Sequence, residues 1–154
     1  MPAVEFKGEC VMSFADSISQ SLKKYFDFSG RASRSEFWFF LLFVALCDAV
    51  AGVFGRSIGG LVMLALFVPQ ITVAVRRLHD VGKSGRELVV PYVMMAAGPM
   101  LYWAGGFLIG LVKLAYGVIT LLVVVRLVML WAKKGSTIPN KYGAAPTAFS
   151  FAKA

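Results

Sequence analysis

The chain has 154 residues, 58% of them hydrophobic and only 16% charged, with a mean hydropathy of +0.74. A soluble domain of this length is nearer half apolar and a quarter charged, so the excess apolar surface must face lipid, and the length leaves room for one compact unit. The formal charge of +8, from 16 Lys and Arg against 8 Asp and Glu, lies beside long apolar runs; headgroups and topology control explain it better than nucleic acid, which is not an expected partner.

Cys10, Cys47 and His79 have no ligand-like spacing, so no disulfide framework, metal centre or cofactor is expected. The first 36 residues hold no short apolar region before a small-residue cleavage site, which implies insertion through the first span.

Residues 1–12 lack periodicity and read as a disordered leader, with Met1 and Met12 both candidate starts. From Ser13 to Phe28, Phe14, Ile18, Leu22, Tyr25 and Phe26 fall on one helical face. The stretch is too polar to span. It predicts an amphipathic helix along the inner interface, the alternative being a helix packed on other cytoplasmic segments. Ser33 and Glu36 have the capping-box spacing, each side chain able to satisfy an orphaned backbone N–H at the start of the next helix.

Spans are predicted over residues 37–54 and 58–75, the second with a kink at Pro69-Gln70. A polar loop, Arg76 to Glu87, follows. The apolar run from Leu88 to Ala132 holds 45 residues. That is about 67 Å as one helix, against a core of about 30 Å, so it must turn back once. Gly105-Gly106 or Gly110 is the place, giving spans 88–104 and 111–132, and residues 147–154 read as a disordered tail. Thirteen Lys and Arg fall on the side of the termini and two, Arg56 and Lys113, on the other, which places both ends in the cytoplasm. Trp38, Trp103 and Trp131 lie near span ends, as in aromatic belts. The predicted fold is all-α: one membrane domain, 13–146, of four transmembrane helices with an amino-terminal amphipathic interfacial helix.

Three separated segments carry a resemblance. Tyr25 to Trp38 (YFDFSGRASRSEFW), Arg76 to Gly85 (RRLHDVGKSG), and the tail Gly135 to Pro146 with Asn140, Tyr142, Gly143 and Pro146 resemble domain-of-unknown-function family 805, small bacterial membrane proteins. The resemblance runs from Ser13 to Pro146 and implies a bacterial inner (plasma) membrane location. The family has no settled activity to carry over.

All three segments fall on the predicted cytoplasmic side. Arg31, Arg34, Arg76 and Arg77 could gather there with Glu36, His79 and Asp80, and guanidinium forks suit phosphate or an acidic partner. The competing reading has Arg31 and Arg34 paired with Glu36 or Asp80, locking loops to span ends. His79-Asp80 suggests acid–base chemistry, but adjacent residues rarely hold each other in that geometry, no nucleophile stands out beyond Ser84, and a structural turn fits better. Gly82-Lys83-Ser84 lacks the earlier glycine of a phosphate-binding loop, Arg77 standing in its place. Asp48 and Arg126 lie inside spans at different depths; Arg126 can snorkel inward, and Asp48 can reach Lys113 or Arg56.

The leading expectation is a non-enzymatic protein whose basic cytoplasmic face binds anionic lipid or a protein partner, including a second copy of itself. A transporter or channel subunit is the alternative. A small enzyme acting on lipid headgroups through His79, Asp80 and Ser84 comes third.

Overall fold

Serine hydroxyls set the first two helix starts. Ser13 accepts from the Asp16 amide at 3.2 Å and begins α1, Phe14–Lys23. Ser33 accepts from the Glu36 amide at 3.1 Å and begins α2, Arg34–Val53. The second half of the predicted capping box is not made, because the Glu36 carboxylate turns inward to Arg76. The computed structural model describes residues 12–103 and 107–146. The predicted leader to Val11, the tail 147–154 and the Gly105-Gly106 turn lie outside the described residues. Met12, grouped with the leader by sequence, is buried, and its N–H donates to Ser35 Oγ at 3.0 Å.

α1 ends at Lys23, so Tyr25 and Phe26 lie beyond it in a turn rather than on a helical face reaching Phe28. It packs on the bundle through two fully buried serines, Ser17 and Ser21, while Phe14 and Leu22 stay exposed. Small side chains permit that close approach. Phe14 meets Phe39 of α2 edge to face, with ring centres 5.9 Å apart.

A turn through Phe54 and Gly55 joins α2 to α3, Arg56–Asp80. Gly55 has φ +114°, a left-handed conformation that side chains with a Cβ resist. α3 extends well past the predicted limit of residue 75. His79 and Asp80 therefore form its last turn and are not a loop turn, and the polar connection begins only at Val81. The buried Arg76, Arg77 and Asp80 each gain a partner from that helical extension. A short 3-10 turn, Gly85–Leu88, leads into α4, Val89–Trp103, and α5 follows over Phe107–Ala132. Gly110, one of the two turn sites expected from sequence, lies within α5. Tyr116 of α5 donates to the Met94 carbonyl of α4, and the Phe67 and Tyr92 rings meet between α3 and α4 at 5.9 Å.

The described residues form helices and no strand beyond one isolated bridge, Asn140 to Gly143. α2, α3 and α5 are long and apolar enough to cross a membrane, and each leaves most of its surface uncovered. α4, with 15 residues, falls short of that length. The core sits at one end of the bundle, where Phe37, Phe40, Val44, Val73, Leu78 and Leu130 pack together. Toward the other end, Leu46, Val50, Val53, Leu61 and Leu64 are exposed. Such a lopsided core suits a protein whose outer surface is solvated by acyl chains.

Candidate functional site

The three sequence segments meet at the end that holds the core. Arg31, just before α2, reaches across to Asp80 at the end of α3. Its Nε and Nη2 donate to Oδ1 at 2.9 and 2.7 Å, and its Nη1 donates to the Ile138 carbonyl at 3.0 Å. A further Nη2 bond goes to the Ser136 carbonyl. Arg77 takes the other carboxylate oxygen of Asp80 and donates through Nε to the Trp131 carbonyl at 2.9 Å and through Nη2 to that of Lys133. The carbonyls at the end of α5 have no partners within their own helix. A cation there also opposes the negative end of the helix dipole. Arg77 thus caps α5 from α3, and Ser136 N–H closes the ring by donating to the Asp80 carbonyl at 3.1 Å.

Arg76, one residue earlier on α3, turns to a different partner. Its Nη1 lies 2.8 Å from Glu36 Oε1, and neither side chain has any exposed surface. The two groups have only each other: their remaining polar side-chain atoms have no hydrogen-bond partner among the described residues. The Arg76 backbone carbonyl accepts from Ala32 N–H at 3.1 Å, tying the first segment to the second.

His79 completes the junction. Nδ1 lies 3.1 Å from the Gly30 carbonyl, so the proton sits on Nδ1 if that bond forms. Its ring stacks on Tyr142, centres 3.8 Å apart and 4° from parallel. Asn140 Nδ2 donates to the His79 carbonyl at 2.9 Å and Oδ1 accepts from Tyr142 N–H at 2.9 Å. Asp27, in the turn after α1, accepts from Ser29, which holds its carboxyl below the usual carboxylate value.

Of the residues singled out by sequence, Arg31, Arg77, His79, Asp80, Asn140 and Tyr142 are thus brought together in one clasp, with Arg76 and Glu36 beside it. Arg34 reaches the Ala132 carbonyl at 3.4 Å. Ser84 stands apart, its hydroxyl accepting from the Arg86 amide at 3.3 Å. Asp48 keeps one carboxylate oxygen buried without a hydrogen-bond partner among the described residues. Arg126 pairs with Glu87 at 2.8 Å, a contact that sequence reasoning missed. The signal was present: Glu87 directly precedes the apolar run and Arg126 lies six residues before its end. Folding that run back on itself brings the two to similar heights.

The clasp and the long uncovered helices define an integral membrane protein whose bundle is tied at one end by buried arginine–carboxylate pairs. The chain belongs to the family described as protein of unknown function (DUF805), whose model matches residues 25–144. Its relatives in Escherichia coli include the inner membrane protein YhaI, 37% identical over 89 residues, covering 53% of this chain and 71% of the relative. The uncharacterized protein YiiR is 32% identical over 126 residues, covering 77% of this chain and 84% of its own. The inner membrane protein YhaH is 34% identical over 74 residues, covering 41% and 61%. No solved structure matches the chain.

Proposed function

We propose that this protein is a non-enzymatic, four-span inner-membrane protein with both termini in the cytoplasm, whose basic cytoplasmic face engages anionic lipid. The remaining span runs over residues 88–104, within which α4, Val89–Trp103, supplies 15 residues, about 22 Å at helical rise, and the 3-10 turn before it brings the chain to the membrane surface. The amphipathic reading of α1 is supported by its orientation: serines face the bundle while Phe14 and Leu22 stay exposed, as a helix lying in the interface requires.

One observation carries the lipid reading, a division among the cations. Arg31, Arg76 and Arg77 are sealed in ion pairs and cannot reach a headgroup. Lys23, Lys83, Arg86, Lys133, Lys134 and Lys141 are exposed on the segments that adjoin the clasp. The binding face is therefore a rim of exposed lysines around a neutralised arginine core. Each cation near an anionic surface contributes on the order of 1 kcal/mol, screened over a Debye length. The non-enzymatic reading is supported by Asp80, already engaged by two arginines, and by His79, packed flat against Tyr142.

Reporter fusions after Phe54, Glu87, Gly106 and Ala154 test the topology and should read outside, inside, outside, inside. A periplasmic signal at Ala154 would sink it. Native mass spectrometry from mild detergent tests the lipid reading. Retention of phosphatidylglycerol should exceed that of phosphatidylcholine, and it should fall with salt and on replacing Lys133, Lys134 and Lys141 with glutamine. Equal retention of the two lipids by the unmodified chain would refute it.

A further inference from the structure

Arg126 has a setting unlike the clasp arginines. It lies six residues before the end of α5, about 9 Å below the helix end at 1.5 Å per residue. Its side chain is 59% exposed, and its ion-pair partner among the described residues, Glu87, is 25% exposed at 2.8 Å. A guanidinium carries five N–H donors, and a single carboxylate contact leaves most of them directed elsewhere. At that depth the uncovered side chain faces acyl chains, where an ionised group must find water or an anion.

The space beside it is a groove of about 230 Å³ between the 3-10 turn and α5. Ser84, Arg86, Glu87 and Arg126 form its polar part, and Val90, Val123 and Leu127 its apolar part. Two cations against one carboxylate leave a single positive charge, which matches the single negative charge of a phosphodiester. The apolar wall suits the glycerol and first methylenes of a lipid and gives a free phosphate ion no reason to stay.

We infer that this groove binds the phosphodiester of an anionic glycerophospholipid, with Arg126 offering the planar fork and Arg86 the second charge. The inference rests on the proposed lipid-engaging face and names its deepest site. Glu87 holds the Arg126 guanidinium at the groove mouth and competes with the phosphate for it.

The test uses the full chain in mild detergent with dioleoylphosphatidylglycerol and dioleoylphosphatidylcholine as probes, and retained lipid is read by native mass spectrometry. Arg126→Gln should lower retained phosphatidylglycerol at least fivefold, and Glu87→Gln should leave it equal or higher. Val123→Trp keeps every charge but fills the groove, and should match the loss seen with Arg126→Gln; it keeps the test decisive should the charge variant fail to fold. Inorganic phosphate at millimolar concentration should not displace the lipid. Unchanged retention in folded Arg126→Gln and Val123→Trp would overturn this site. If the lysine replacements still lowered retention, the wider face would stand without it. Displacement by inorganic phosphate would make the groove an ion site and overturn the lipid assignment. If the unmodified chain retained both lipids equally, the wider reading and this site would fall together.

Discussion

Tyr25 stands in for the amide hydrogen that Pro69 lacks: its hydroxyl donates to the carbonyl of Ala65, the acceptor four residues before the proline. A proline inside a helix leaves that carbonyl without its usual donor, and in a membrane the vacancy has to be filled from within the protein. Thr72 strengthens the junction, its hydroxyl lying 3.0 Å from the Tyr25 carbonyl and 2.9 Å from that of Val68. The segment after α1 is thereby fastened to the proline turn of α3.

Tyr25→Phe should therefore cost about 1–2 kcal/mol, the penalty of a polar group left unpaired. The same change in a Pro69→Ala background should cost much less, because the alanine restores the N–H that bonds Ala65. Unfolding of the four variants in detergent gives the coupling directly. Equal penalties in the two backgrounds would mean that the tyrosine serves the chain in another way.

At the start of α2, Ser33 and Glu36 should differ sharply in what their loss does. Ser33→Ala removes one cap bond, worth about 1 kcal/mol. Glu36→Ala leaves the Arg76 guanidinium fully buried without its counter-ion, a loss of about 3–5 kcal/mol. Replacing the pair together, Glu36→Leu with Arg76→Met, should recover most of that loss, since apolar groups of similar volume need no partner. A double variant no more stable than Glu36→Ala would show that one of the two has a further partner.

The His79–Tyr142 stack separates packing from chemistry. Tyr142→Ala should cost about 0.5–1.5 kcal/mol beyond the loss of buried area, the range for aromatic pairs. Tyr142→Phe keeps the ring and should leave both stability and lipid retention unchanged. A large effect of the phenylalanine variant would point to work by the hydroxyl that the stacked geometry does not call for.

Membrane class, the helices and the joining of the three segments were legible because apolar length and charge asymmetry act over many residues at once. The Ser33 cap was legible from local spacing. The use of each arginine was not. Arg31, Arg34, Arg76 and Arg77 read either as a phosphate-binding set or, for Arg31 and Arg34, as partners of Glu36 or Asp80; Arg31 does pair with Asp80, 49 positions away, but the backbone carbonyls of Ser136 and Ile138, which complete its shell, carry no residue signature. Arg76 and Arg77 are neighbours in sequence, but the 100° step of a helix sends them to different partners. The helix continues to Asp80 for the same reason, because burying three charges required partners that only a further turn could present.

Gly135 offers the sharpest test of the clasp. A Cβ built on it would overlap the Asp80 carboxylate, which holds Arg31 on one oxygen and Arg77 on the other. Any side chain must displace either the tail or the acid that neutralises two buried guanidinium groups. Gly135→Ala should therefore lower stability by about 3–5 kcal/mol, the scale for disturbing a buried charge partner. It should also speed trypsin cleavage after Lys133 and Lys134, whose side chains are already exposed, because the backbone there is freed when the carbonyls of Lys133 and Ser136 lose their arginine donors. Gly117→Ala is the control: nothing lies within 4 Å of its Cβ position, and alanine in a helix interior should raise stability by about 0.5–1 kcal/mol. Asp80→Ala removes the obstructing carboxylate and is itself destabilising, so its combination with Gly135→Ala should cost far less than the two single changes added together. Strict additivity would mean that the glycine and the aspartate do not meet, and the tail would then have to be held by other contacts.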